Sequence, residues 1–132
     1  MIKTLALTFV ALAGITAPAL AQGDATAGET IFKRCAGCHA IGEGARNKAG
    51  PELNAVVGRP AGSIADFNYS TAMKDAGAAG LVWTPEDLHA FLTAPKVKVP
   101  GTKMSFPGLK EPTDVDNLVA YLMTFSPDYV AP

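Results

Sequence analysis

Thiols and imidazoles are scarce in this chain: its 132 residues hold two cysteines and two histidines. A structural zinc site needs four ligands, and the only candidates are Cys35, Cys38, His39 and the distant His89. Two of these are adjacent and poorly placed for a tetrahedron. Positive charge is in short supply too. Eleven Lys plus Arg stand against twelve Asp plus Glu, for a formal charge of −1, which excludes the basic footprint of a nucleic-acid binder. No internal repeat, low-complexity tract or convincing strand alternation appears. The one long apolar run, Leu5 to Ile15, is too short to span a bilayer.

That run reads as part of an address. Lys3 supplies a short positive start, and Ala19-Leu20-Ala21 is a small-x-small cleavage site before Gln22. Residues 1–21 are therefore expected to be a cleaved secretory signal, and residues 22–132 a single small domain in the periplasm. Gly23 already opens the domain, leaving no linker for an uncleaved anchor. Without Lys3, ten basic residues face twelve acidic ones, so the formal charge of the mature chain becomes −2. The 48% hydrophobic fraction is inflated by the leader, so a small mature core would gain from an apolar cofactor.

What is there is Cys35-Ala36-Gly37-Cys38-His39. Two cysteines three residues apart sit about one helical turn from each other, so both sulfurs can face one edge of a porphyrin and form thioethers with its vinyl groups. His39 then falls beneath the iron, where a neutral imidazole is a good axial ligand. The competing reading is a thiol–disulfide couple, which wants a strand–helix setting in a βαβ domain that this sequence does not provide.

The helical signals cluster in three places. Asp24 is an N-cap for a helix running through Ile31 and Phe32 into the cysteine turn. Thr84-Pro85-Glu86-Asp87 offers a cap, a proline at the first helical position and acids in the first turn, followed by apolar Leu88, Phe91 and Leu92 until Pro95 stops the run. Thr113-Asp114-Val115-Asp116 is expected to cap a last helix whose Val115, Leu118, Val119 and Leu122 share a face. A shorter helix is expected from Ser70 to Ala76, ended by Gly77. The segments 42–62 and 96–112 read as Gly- and Pro-rich loops. Their length in a compact domain points to function.

Among four methionines, Met104 stands apart in the loop Pro100-Gly101-Thr102-Lys103-Met104-Ser105-Phe106. On pattern alone it is equally a ligand and a loop residue packed on the core. Lys96, Lys98, Lys103, Arg34, Arg46 and Lys48 fall near the segments expected to frame a haem, while Glu86, Asp87, Asp114, Asp116 and Asp128 lie elsewhere in sequence. Such a division would orient the molecule toward an acidic partner; a mixed solvated surface is the bland reading. His89, between Asp87 and Ala90, reads as an exposed histidine.

In order, Cys35-Ala36-Gly37-Cys38-His39, Gly50-Pro51-Glu52-Leu53, Gly58-Arg59, Phe67-Asn68-Tyr69, Trp83, the Met104 loop and Tyr121-Leu122 resemble the class I cytochromes c. The likeness is strongest to the bacterial cytochrome c2 group and its mitochondrial relatives, and covers the whole mature chain. It implies an all-α fold of three main helices plus a short one, wrapped with loops around one covalent haem c. It also implies that Cys35 and Cys38 form the thioethers, and that His39 and Met104 bind the iron. Pro51 would accept a hydrogen bond from the other ring nitrogen of His39. Arg59, Tyr69, Trp83 and Thr102 match positions that neutralise or hydrogen-bond the haem propionates. Gly28, Phe32 and Tyr121 match the crossing of the first and last helices. The chain departs from the pattern at two places: Phe91 replaces a tyrosine that reaches the methionine sulfur, and Met73 replaces an asparagine near the same ligand.

The resemblance implies a monomeric electron carrier rather than an enzyme, with no stable membrane insertion. Its partners would be membrane redox complexes (a quinol-cytochrome c reductase, a terminal oxidase or a photosynthetic reaction centre) or a periplasmic dehydrogenase. The different-class alternative is a haem enzyme or a gas or peroxide sensor with a labile Met104.

Overall fold

The computed structural model describes residues 23–132, so the expected signal and its cleavage site lie outside the described residues. Among the described residues five helices follow one another: α1 (Ala25–Phe32), α2 (Thr71–Ala78), α3 (Pro85–Thr93), α4 (Pro95–Lys98) and α5 (Pro112–Met123). Among the described residues the only strand-like pairing is a bridge between Pro60 and Val82. No helix there is long and apolar enough to cross a membrane.

The Asp24 carboxylate caps α1 by accepting from the Thr26 and Ala27 amides at 2.8 and 3.2 Å. α1 then crosses α5 at very short range. A Cβ on Gly28 would stand 2.0 Å from the Asn117 carbonyl oxygen and 2.7 Å from Tyr121 Cβ, so the missing side chain is what lets the two backbones meet. Phe32 and Tyr121 seal the crossing with ring centroids 5.4 Å apart. At the other end, Asn117 Oδ1 accepts from the Asp24 amide at 2.7 Å. Val115, Leu118, Val119 and Leu122 put the expected apolar face of α5 into the core.

Three details differ from the sequence reading. α5 starts at Pro112 with Glu111 as N-cap and no side-chain cap bond. Pro112 carries a preset φ and lacks an N–H, so it takes the first helical position and pulls Thr113 inside the helix. α2 runs past Gly77 to Ala78. Gly77 is a packing site, where a Cβ would lie 2.0 Å from the Ala61 carbonyl oxygen, and the chain reverses at Gly80 with φ +99°. Finally, Pro95 ends α3 but also opens the one-turn α4, so the helices among the described residues number five instead of four. The same proline stops one helix and begins the next.

Candidate functional site

Beyond Phe32 the chain keeps winding through hydrogen-bonded turns: the Cys35 and Ala36 amides donate to the Phe32 carbonyl, and the Cys38 and His39 amides donate to the Cys35 carbonyl. The winding carries Cys35, Cys38 and His39 to one wall of a cavity of about 430 Å³. Cys35 is half-buried and Cys38 exposed. Burial pushes the Cys35 thiol up, while the neighbouring Arg34 cation opposes the rise.

The His39 ring is fixed from two sides. Its Nδ1 lies 2.7 Å from the Pro51 carbonyl oxygen. A carbonyl only accepts, so Nδ1 carries the proton and Nε2 of the neutral ring keeps its lone pair. Burial drives the ring below the ordinary histidine range; the Pro51 hydrogen bond opposes this, and the Arg59 and Lys48 cations reinforce it. Gly50 presses on the same ring, since a Cβ there would stand 2.3 Å from His39 Cε1. The Gly50 amide is tied in turn to the Cys38 carbonyl at 2.8 Å.

Met104 lines the same cavity. Its loop is pinned at both ends, by the Thr102 amide on the Val99 carbonyl (3.0 Å) and the Leu109 amide on the Leu92 carbonyl (2.9 Å). Within it, Thr102 Oγ1 accepts from the Met104 amide at 3.3 Å.

Arg59, Tyr69, Trp83 and Thr102 line the cavity as well. The Arg59 guanidinium donates to the Asn54 and Glu52 carbonyls at 3.1 Å each and lies 3.5 Å from the Glu52 carboxylate. The Tyr69 hydroxyl accepts from the Ile64 amide at 3.4 Å, which leaves its own proton to give. Trp83 is buried against Phe91, centroids 4.9 Å apart. Phe91 and Met73 contribute apolar surface to the cavity where a hydroxyl and an amide were the alternatives.

The charges divide less cleanly than their sequence positions implied. Asp87 reaches α4 and pairs with Lys98, so that lysine is not an unopposed cation. Arg34 and Lys103 do line the cavity. His89 is partly exposed, its Nε2 3.4 Å from Asp116 Oδ1 on α5.

The family model for Cytochrome c matches residues 25–126. Cytochrome c2 of Agrobacterium tumefaciens is 59% identical over 102 residues, which cover 77% of this chain and 92% of that one. The chain belongs to the class I cytochromes c, in the bacterial cytochrome c2 group. Cytochrome c2 of Afifella marina is 55% identical, over 77% of this chain and 82% of its own. Among solved structures, cytochrome c2 from Rhodospirillum centenum superposes with a TM-score of 0.77 at 39% identity, covering 80% of this chain and all of that one. Cytochrome cH from Methylobacterium extorquens gives 0.70 at 48% identity, covering 77% and 99%.

A cytochrome c2 carries one covalent haem c, and the residues here fit it. Two thiols stand at the attachment turn, an imidazole has its Nε2 lone pair unspent, and mostly apolar walls surround the space between. The zinc and disulfide readings of Cys35 and Cys38 give way to haem attachment. Sequence reasoning missed Gly50 as a wall against His39, Glu52 as the partner of Arg59, and Leu88, Leu118 and Leu122 as cavity lining. The Gly50-Pro51 pair was the available signal for the first; the leucines were visible only as core.

Proposed function

We propose that this monohaem electron carrier works in the periplasm, with His39 and Met104 as the axial ligands. The observation that carries the reading is that Cys35, Cys38, His39 and Met104, from two loops 65 residues apart, line one cavity. The bound haem iron supplies a reversible one-electron couple between ferric and ferrous states. The chain does the rest. Pro51 and Gly50 hold the imidazole in one tautomer and one orientation, and the Val99–Leu109 loop presents the thioether. A soft thioether favours the ferrous state, and two protein ligands leave no coordination position for a substrate.

Arg59, Tyr69, Trp83 and Thr102 are assigned to the haem propionates. Arg59 suits this role because two carbonyls and Glu52 already orient it, so little side-chain entropy remains to be lost. Residues 1–21 are assigned to a cleaved signal. The partners are membrane redox complexes (a quinol-cytochrome c reductase, a terminal oxidase or a reaction centre) or a periplasmic dehydrogenase, met briefly as a monomer through the face bearing Arg34 and Lys103.

The test is an anaerobic redox titration followed by exposure of the ferrous protein to carbon monoxide. A reversible one-electron transition with no carbon monoxide spectrum supports the carrier. Rapid, stoichiometric carbon monoxide binding would shift the assignment to an enzyme or sensor with a labile Met104.

A further inference from the structure

One contact between cavity-lining residues is explained by neither haem attachment nor iron ligation. The Arg34 guanidinium carbon stands over the Phe106 ring, 5.6 Å from its centroid. Arg34 immediately precedes Cys35, and Phe106 follows Met104 by two residues. The contact therefore joins the attachment turn to the loop that carries the thioether. Both side chains line the cavity.

Arg34 is not drawn away by an ion pair: among the described residues its side chain takes part in none, the pairs there being Arg59–Glu52, His89–Asp116 and Lys98–Asp87. The hydrogen bonds of the loop lie mainly at its ends, Val99–Thr102 and Leu92–Leu109; between them, among the described residues, are the Met104 amide bond to Thr102 Oγ1 and a Lys103 Nζ contact of 3.4 Å to the Asn68 carbonyl, while Met104 and Phe106 pack against the core. A planar cation lying on an aromatic face is a directional attraction that persists at an exposed site.

We propose that Arg34 is a positioning residue for Met104: by stacking on Phe106 it clasps the loop to the attachment turn and slows departure of the thioether from the iron. This rests on the reading of Met104 as the axial ligand. A structural or purely electrostatic role for Arg34 would not depend on Phe106, and that dependence makes the proposal testable.

The experiment uses ferric holoprotein mixed with excess imidazole in a stopped-flow instrument, where the limiting rate at saturating imidazole reports release of Met104. Arg34→Ala should raise that rate about two- to fivefold, the size of an exposed cation–π contact. Arg34→Lys should raise it less. Lys33→Ala, which removes a neighbouring exposed cation outside this contact, should leave it unchanged. In a Phe106→Leu background, Arg34→Ala should add nothing further. An unchanged rate in Arg34→Ala, or an equal increase with and without Phe106, overturns the clasp. A parent protein lacking the far-red sulfur-to-iron band overturns the ligand reading and the clasp together, so the two failures are distinguishable.

Discussion

Gly50 and His39 are in contact that admits no side chain: a Cβ at position 50 would lie 2.3, 2.7 and 2.8 Å from three atoms of the imidazole ring. On the same ring, Nδ1 is held by Pro51. One dipeptide thus holds the His39 ring from two sides, through its Nδ1 hydrogen bond and through ring contact. Gly50→Ala must push the ring or shift the backbone. Overpacking of this kind costs about 1–3 kcal/mol, so the denaturant midpoint of the holoprotein should fall with an unchanged slope. A wild-type midpoint would show that the ring has room to move.

The α1–α5 crossing is equally intolerant. A Cβ on Gly28 would meet backbone at Asn117, an atom that cannot swing aside as a side chain can. Gly28→Ala is expected to destabilise the folded chain by at least about 2 kcal/mol, at the upper end of overpacking costs, and to lower the yield of mature protein. Thermal unfolding of the purified holoprotein measures it.

The cysteine turn and the terminal helices were legible in sequence because their signals are local. The Cys35-to-His39 motif, the Asp24 cap and the spacing of Val115, Leu118 and Leu122 each operate within a few residues, and each lies where that local logic put it. What was not legible depends on chain segments far apart. That Gly77 packs on Ala61 instead of stopping a helix, and that Asp87 captures Lys98, are tertiary facts with no local signature. Pro95 was ambiguous for a different reason: a residue that ends a helix is also a good first residue of one.

Asp87 makes a pH-dependent contribution. The hydrogen bond from Lys98 holds its carboxyl below the usual carboxylate range, aided by Thr84 and opposed by burial. A depressed carboxylate stabilises the fold fully above its unfolded pKa of about 3.9, and the contribution is lost as pH falls through the lower folded value. Both partners are partly exposed, so the effect is small. Asp87→Asn should cost about 0.5–1 kcal/mol near neutrality, with the difference from the parent vanishing once the pH has fallen below the depressed folded value. Urea unfolding across that range checks the sign.

Phe91 is buried beside Trp83 and lines the cavity without a hydroxyl. Phe91→Tyr would provide a donor for the Met104 sulfur, weakening its donation to ferric iron and favouring the ferrous form. A hydrogen bond worth about 0.5–1.5 kcal/mol corresponds to a rise of about 20–65 mV for a one-electron couple. Spectroelectrochemistry of the variant decides it, and an unchanged or lowered potential would count against a donor reaching the sulfur.

Docking by charge is testable with two lysines outside any ion pair among the described residues. Replacing Lys96 and Lys103 together with Glu should slow electron transfer to a purified quinol-cytochrome c reductase or oxidase and flatten its dependence on ionic strength. Rates indifferent to both charge and salt would reject steering.

The most direct measurement is the visible spectrum, oxidised and reduced, of protein matured in the periplasm of a host with haem-attachment machinery. The account predicts a sharp c-type spectrum on reduction, together with a weak far-red sulfur-to-iron band on oxidation that Met104→Ala abolishes. Covalent haem whose oxidised spectrum lacks that band, or keeps it without Met104, would contradict the His39–Met104 ligation on which the carrier reading rests.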